Sequence, residues 1–472
     1  MSDREAHRAV ARSAGPAVRR ATAAPVEPIG SSLGMLGTTW ALAWPAIISF
    51  SLESIVSLCD LLMVGHLGPA SVAAVGVGVQ ILNALNTTLF AIGTGALAIV
   101  ARHVGAGERP PAEETLRQSI VTAAVSSALL ALPIAIFARS LVGVFRVEPA
   151  VVDETVRFLR VVLMSVPGVG VVFVIAASLR AAGDTRTPLL VGIVVSVLNV
   201  VLGFILIFGR LGLPALGVRG AGTATTIAFT IGAILGLALL ARGHLRLVVR
   251  WPGYRFRGAV VRRVLRVGYP AALEQFLMQL GFFTYVIFVA RYGTGPVAAY
   301  FIGARVLALS FLPGLGFAAA AGALVGQYLG AGRPDDAERS GWAAQRLALL
   351  MMTAAGALIF AAAAPIASLF VDDPHVIEDA AAFIRVLAVC QPLMAFDFVM
   401  GGALRGAGDT RFPLLTAIIA FWVCRLGAAW LVTHVLGLDI FWLWRVVLLD
   451  FTARAALKTW RFQTGRWRHA RV

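Results

Sequence analysis

Charge is what this chain of 472 residues has least of: Asp, Glu, Lys and Arg together make up 14% of it. An ordinary soluble domain carries about 25%. Acids are scarcer than bases, 24 against 40, and there are three cysteines. So little charge excludes a disordered chain, which stays unfolded through high charge and low hydropathy. So little cysteine excludes a disulfide-rich secreted domain. Cys59, Cys390 and Cys424 all lie in apolar runs, with no metal-ligand or disulfide spacing. The seven histidines show no ligand spacing either. Apolar surface is what abounds: 59% of residues are hydrophobic and the mean hydropathy is +0.85. Uncharged runs of about 20 apolar residues recur, the length that crosses a bilayer. A soluble enzyme is therefore excluded.

The net charge of +16 resembles a nucleic-acid footprint in size but not in distribution. Arg and Lys gather at the N-terminus, over 242–266 and after Ala453. Basic residues beside membrane spans follow from the positive-inside rule, so no nucleic-acid partner is expected. Residues 1–36 are rich in Ala, Arg and Pro and lack an apolar core before a small-residue cleavage site. They read as a disordered cytoplasmic arm and not as a signal peptide. Twelve apolar segments follow, at roughly 37–62, 71–101, 118–139, 158–179, 187–209, 219–241, 266–290, 296–326, 341–365, 383–404, 413–434 and 438–457. An even number puts both termini on one side. The termini and even-numbered loops carry most of the Arg and Lys, which predicts cytoplasmic termini in the cell (inner) membrane. Hydrocarbon tolerates no unpaired backbone groups, so the expected fold is all-α and polytopic.

A search for internal repeats finds one gapless shift, of 225 residues. Leu-Arg-Ala-Ala-Gly-Asp-Thr-Arg-Thr-Pro-Leu-Leu (179–190) falls on Leu-Arg-Gly-Ala-Gly-Asp-Thr-Arg-Phe-Pro-Leu-Leu (404–415). The same shift carries Pro45 to Pro270, Gly68 to Gly293, Val72-Ala73-Ala74 to Val297-Ala298-Ala299, Gly105-Ala106-Gly107 to Gly330-Ala331-Gly332, and Pro167 to Pro392. Each repeat holds an even number of spans, so the halves insert in one orientation and relate by a pseudo-two-fold along the membrane normal. Five regions are expected: the arm 1–36, a six-helix lobe 37–241, a basic cytoplasmic linker 242–261, a second six-helix lobe 262–458 and a basic cytoplasmic tail 459–472. Two parallel repeats of this kind are the build of transporters that bind at the repeat interface and rock one half against the other.

An acid at the bilayer centre costs about 2.5–3.5 kcal/mol on insertion scales, so it is a functional candidate by default. Four acids stand out within predicted spans: Glu53 and Asp60 in the first, Glu274 in the seventh, Asp397 in the tenth. Seven residues are nearly two helical turns, so Glu53 and Asp60 share a face. Burial favours the neutral acid over the carboxylate, so a buried acid can alternate between the two. The charged form can hold Na⁺ or an organic cation, which allows one cation to be exchanged for another at one site. Pro45, Pro167, Pro270 and Pro392 fall within spans and mark candidate kinks or gating segments. Arg346 and Arg445, near helix ends, are expected to snorkel, while Arg305 and Arg425 lie deeper and are expected to pair with Asp397 or Glu274. Asp372-Asp373 reads as a solvated outer loop.

With these motifs in hand, the chain resembles the multidrug and toxic compound extrusion transporters over about 37–458. The resemblance rests on Pro45, on Cys59-Asp60-(x)4-Gly65-His66-Leu67-Gly68, on the Gly-Ala-Gly loops, on the doubled Leu-Arg-x-x-Gly-Asp-Thr-Arg loops and on Pro270-Ala-Ala-Leu-Glu274-Gln275. It implies proton- or Na⁺-coupled export of organic, often cationic, compounds by a V-shaped pair of lobes. It implies a monomer that needs no cofactor, with the bilayer and small organic substrates as its partners. It also implies a cation site at Asp60, with Na⁺ the one metal it would hold, and with Asn199 and Thr225 beside it. Some members carry an acid one turn after the fifth-helix Asn, where this chain has Gly203. Others carry a seventh-helix acid further along than Glu274, where this chain has Gln279. Asp397 matches a tenth-helix carboxylate. The competing expectation is a lipid-linked or polysaccharide flippase of related build, which would show more spans and a cationic cavity. A major-facilitator transporter would need a Gly-x-x-x-Asp-Arg loop where this chain has 101–108, and a membrane prenyl transferase would need paired Asp-rich motifs.

Overall fold

The structure, a computed structural model, describes residues 32–243 and 246–470. Twelve long helices run through them. The first half holds α1 (Ser32–Gly65), α2 (Pro69–Gly105), α3 (Arg109–Ile136), α4 (Pro149–Ala181), α5 (Arg186–Phe208) and α6 (Val218–Ala241). The second holds α7 (Gly258–Ala290), α8 (Thr294–Gly330), α9 (Pro334–Ala361), α10 (Pro374–Ala407), α11 (Arg411–Val435) and α12 (Ile440–Gln463). Among the described residues there is no strand, and eleven of these helices are long and apolar enough to cross a membrane. The twelfth, α12, carries Arg445, Asp450, Arg454, Lys458 and Arg461. Leu129, Leu132, Leu350 and Leu358 point outward and are largely exposed, a surface suited to lipid rather than water.

Local sequence sets the helix ends. α2, α3, α4, α9 and α10 begin with Pro in the first turn, where its missing N–H costs nothing. α4 and α10 end in the doubled Leu-Arg-x-x-Gly-Asp motif, whose Gly183 (φ 82°) and Gly408 (φ 89°) take the left-handed conformation that stops a helix. Next to Gly183, Asp184 starts α5 by accepting from the Thr187 amide at 3.0 Å and its hydroxyl at 2.7 Å. The starts of α2, α3, α4 and α5 recur in α8, α9, α10 and α11 at the repeat interval of 225, as do the short helices Ala138–Gly143 and Ala363–Ser368.

Contacts between the halves obey the same symmetry. Gly105 backs onto the Gln327 carbonyl, and Gly330 backs onto the Arg102 carbonyl. Gly268 of α7 meets Ala91 of α2, while Gly316 of α8 meets Ala43 of α1. In each case residue i meets j and its repeat mate meets the mate of j, the exchange a two-fold axis produces. Gln327 Nε2 donates to the Ala181 carbonyl at 2.7 Å, and Arg102 Nη2 donates to the Ala407 and Ala470 carbonyls, both at 3.0 Å. All these contacts lie toward the end that carries the Gly-Ala-Gly loops. Toward the other end, Ile55, Leu58 and Leu62 of α1 are each more than half exposed.

The halves are not copies in detail. Pro45, Pro270 and Pro392 sit inside α1, α7 and α10, but Pro167 follows a 3₁₀ turn, Leu163–Ser165, that interrupts α4. α8 breaks at Phe311, before Pro313, while α2 is continuous. α11 is π-helical over Ile418–Leu426 and again over Leu431–Val435, while α5 is α-helical throughout.

Three expected boundaries shift. The expected disordered arm lies outside the described residues up to residue 31, and from Ser32 the chain is already helical. The linker ends earlier, because α7 starts at Gly258. The tail is not a free basic segment: α12 continues to Gln463, and Trp467 in the turn Arg466–His469 is fully buried, stacked on Phe462 at 4.7 Å.

Candidate functional site

In the first half the structure brings Asp60 of α1, Asn199 of α5 and Thr225 of α6 together. Asn199 Nδ2 donates to Asp60 Oδ2 at 2.9 Å, and the Thr225 hydroxyl lies 3.2 Å from Asn199 Oδ1. Asn199 is buried, so its amide is fixed between an acid and a hydroxyl. Gly203 lies one turn further along α5. A β-carbon there would stand 3.9 Å from Asp60 Oδ1 and 3.1 Å from Met63 Cε, so the missing side chain leaves room beside the free carboxylate oxygen. Among the described residues no Arg or Lys forms an ion pair with Asp60. Glu53 does not join this cluster. It shares the face of Asp60 but sits about 10 Å away along the axis. Its charged neighbour is Arg180, which lies over the Phe50 ring at 5.5 Å.

The second half is built differently. Glu274 pairs with Arg405 at 3.2 Å and with Lys458 at 3.8 Å. Lys458 also pairs with Asp397, whose other oxygen faces Arg454 at 3.8 Å. Arg454 is bound at 2.6 Å to Asp450, which Arg425 approaches at 3.4 Å. Three acids are thus held by four bases in a mostly buried network across α7, α10, α11 and α12. Gln279 stays outside it: the side chain is exposed, and no hydrogen bond joins it to the network.

This arrangement corrects the expected pairing of the deep arginines. Arg425, within the π-helical stretch of α11, meets Asp450 of the adjacent α12, not Asp397 or Glu274; Arg305 is exposed. Arg445 leans on the rings of Phe441 and Trp442 at 4.2 and 4.9 Å. Asp373 caps α10 by accepting from the His375 amide at 2.9 Å, while Asp372 is exposed. Asp450, Arg454, Lys458 and Arg405 are the residues sequence reasoning missed. Asp450, Arg454 and Lys458 follow one another at four-residue intervals on one face of a helix, a signal present in the sequence at the end of the twelfth expected segment but passed over there.

Twelve helices in two like halves, joined at one end and holding charged clusters at membrane depth, define a polytopic membrane protein of the parallel-repeat kind. The chain belongs to the MatE family, whose pattern matches residues 45–205 and again 270–431. It is similar to the probable multidrug resistance protein NorM of Thermotoga maritima, 30% identical over 436 residues, covering 90% of this chain and 92% of that one. It is also similar to the multidrug resistance protein NorM of Burkholderia vietnamiensis, 31% identical over 434 residues, covering 89% and 92%. Among solved structures, a MATE family multidrug resistance transporter in an outward-facing conformation superposes with a TM-score of 0.84 at 23% identity, covering 94% of this chain and 99% of that one. A MOP superfamily transporter from Pyrococcus furiosus superposes with a TM-score of 0.86 at 22% identity, covering 94% and 98%.

Proposed function

We propose that this protein exports organic, mainly cationic, compounds in exchange for H⁺ or Na⁺, and that Asp60, Asn199 and Thr225 hold the coupling ion. One observation carries the reading: Asp60 is the acid that faces only uncharged partners, while Glu274, Asp397 and Asp450 are each tied to Arg or Lys. A carboxylate already neutralised by fixed bases gains little from a mobile cation. Asp60 can take a proton or, together with nearby oxygens, Na⁺. The multidrug resistance names borne by the NorM relatives support export of small compounds. The close glycine contacts between the halves toward one end support alternating access. The positive-inside rule makes the joined end cytoplasmic, in the inner membrane, and the chain works as a monomer.

The test is dye uptake into inverted vesicles, with a pH gradient and a Na⁺ gradient imposed separately, for Asp60→Asn and Glu274→Gln at matched expression. Asp60→Asn keeps volume and removes a partly buried acid, so it should insert normally and lose gradient-driven export. Equilibrium exchange of bound substrate should survive. Full export by Asp60→Asn, or its loss in a Glu274→Gln protein that still folds, would move the coupling site to the second half.

A further inference from the structure

We propose that the second half contains a cation-binding box, the counterpart of the Asp60 cluster, and that the chain's own Arg425 side chain fills it. The repeat shift carries Asp60 to Tyr285, Asn199 to Cys424 beside Arg425, and Thr225 to Asp450. These residues occupy the equivalent helices α7, α11 and α12, and the structure brings Tyr285, Arg425 and Asp450 together. A π turn holds one residue more than an α turn, so along α11 the position of Asn199 passes to the residue after Cys424.

The walls are those of a receptor for a planar organic cation. The Arg425 guanidinium lies 4.2 Å from the centre of the Tyr285 ring, 4.9 Å from Phe421 and 5.5 Å from Phe282. Tyr285 is locked in place by its hydroxyl, which donates to the Leu443 carbonyl at 2.7 Å. Asp450 supplies the carboxylate at 3.4 Å, but its short bond, 2.6 Å, goes to Arg454. Arg425 is therefore the surplus base of the network, and ring faces do most of the holding. It is fully buried, and its Nε has no hydrogen-bond partner among the described residues. A strut placed for ion pairing alone would not leave a buried guanidinium nitrogen unbonded. A cation seated in an aromatic cage is held through its charge and its flat face instead. The cage is independent of the role given to Asp60.

The probe is guanidinium itself, at millimolar concentrations well below those that denature. Purified full-length Arg425→Ala should bind radiolabelled guanidinium at one per chain, on the order of tenfold more tightly than the unmodified protein. Sodium at equal concentration should not displace it, and adding Asp450→Asn should abolish the binding. A monodisperse Arg425→Ala protein that binds guanidinium no better than the unmodified chain overturns the proposal. Should Arg425→Ala not stay folded, it is extracted from membranes with and without guanidinium beside Arg425→Lys. Recovery by guanidinium and not by sodium supports the box. Failure with both salts, while Arg425→Lys purifies normally, overturns it.

Discussion

Lys458 is a single ammonium group that answers two acids from different helices, Asp397 of α10 and Glu274 of α7. Removing it leaves both carboxylates short of positive charge in a buried setting, a change that costs about 3–5 kcal/mol. Lys458→Met should therefore lower the thermal midpoint sharply in a detergent-solubilised unfolding scan, and adding Asp397→Leu should recover part of the loss. If Lys458→Met unfolds at the unmodified temperature, the network is not structural. Asp450 in the twelfth segment was passed over, whereas Glu274 and Asp397 were legible at this scale, since each stands inside an apolar run. Their partners were not. Arg454 and Lys458 were passed over because basic residues at the end of a span, next to a basic tail, ordinarily reach water. Asp60, Asn199 and Thr225 could be named together only through the family resemblance, because they come from three helices far apart in sequence.

Close helix packing depends on glycine where α7 crosses α2 and α1 crosses α8. At Gly268 a β-carbon would lie 1.9 Å from the Ala91 carbonyl oxygen, so even alanine forces the helices apart. Overpacking of this kind costs about 1–3 kcal/mol. Gly268→Ala should loosen the joined end, raising the thiol labelling of a Gln327→Cys reporter, which is buried in the closed arrangement. Equal labelling in both backgrounds would mean that the contact does not hold the halves together. The 225-residue shift made the order and spacing of these helices readable, because Pro, Gly and Asp mark helix ends in both repeats. The π turns of α11 were not readable. They are a change of hydrogen-bond register with no residue signature, and Arg425, which meets Asp450 rather than its expected partners, lies in the first of them.

For the whole molecule, the charge pattern and the joined end give one orientation. A cysteine at Pro252, in the basic linker, should resist membrane-impermeant reagents applied from outside intact cells and react in inverted vesicles. Reaction from outside would reverse the orientation. Repeat symmetry was legible across the two lobes, but its functional unevenness was not, because the shift aligns positions and says nothing about which acids find bases. That unevenness bears on how the protein is made. α7 and α10 carry Glu274 and Asp397, and both precede α12, the helix that supplies Lys458 and Arg454. During synthesis Glu274 finds Arg405 of α10 at 3.2 Å, but Asp397 stays without its ion-pair partners until the last helix leaves the ribosome. A chain stopped short of residue 454 displays the Asp397 carboxylate unpaired within the bilayer, where quality-control proteases can recognise an unfinished product.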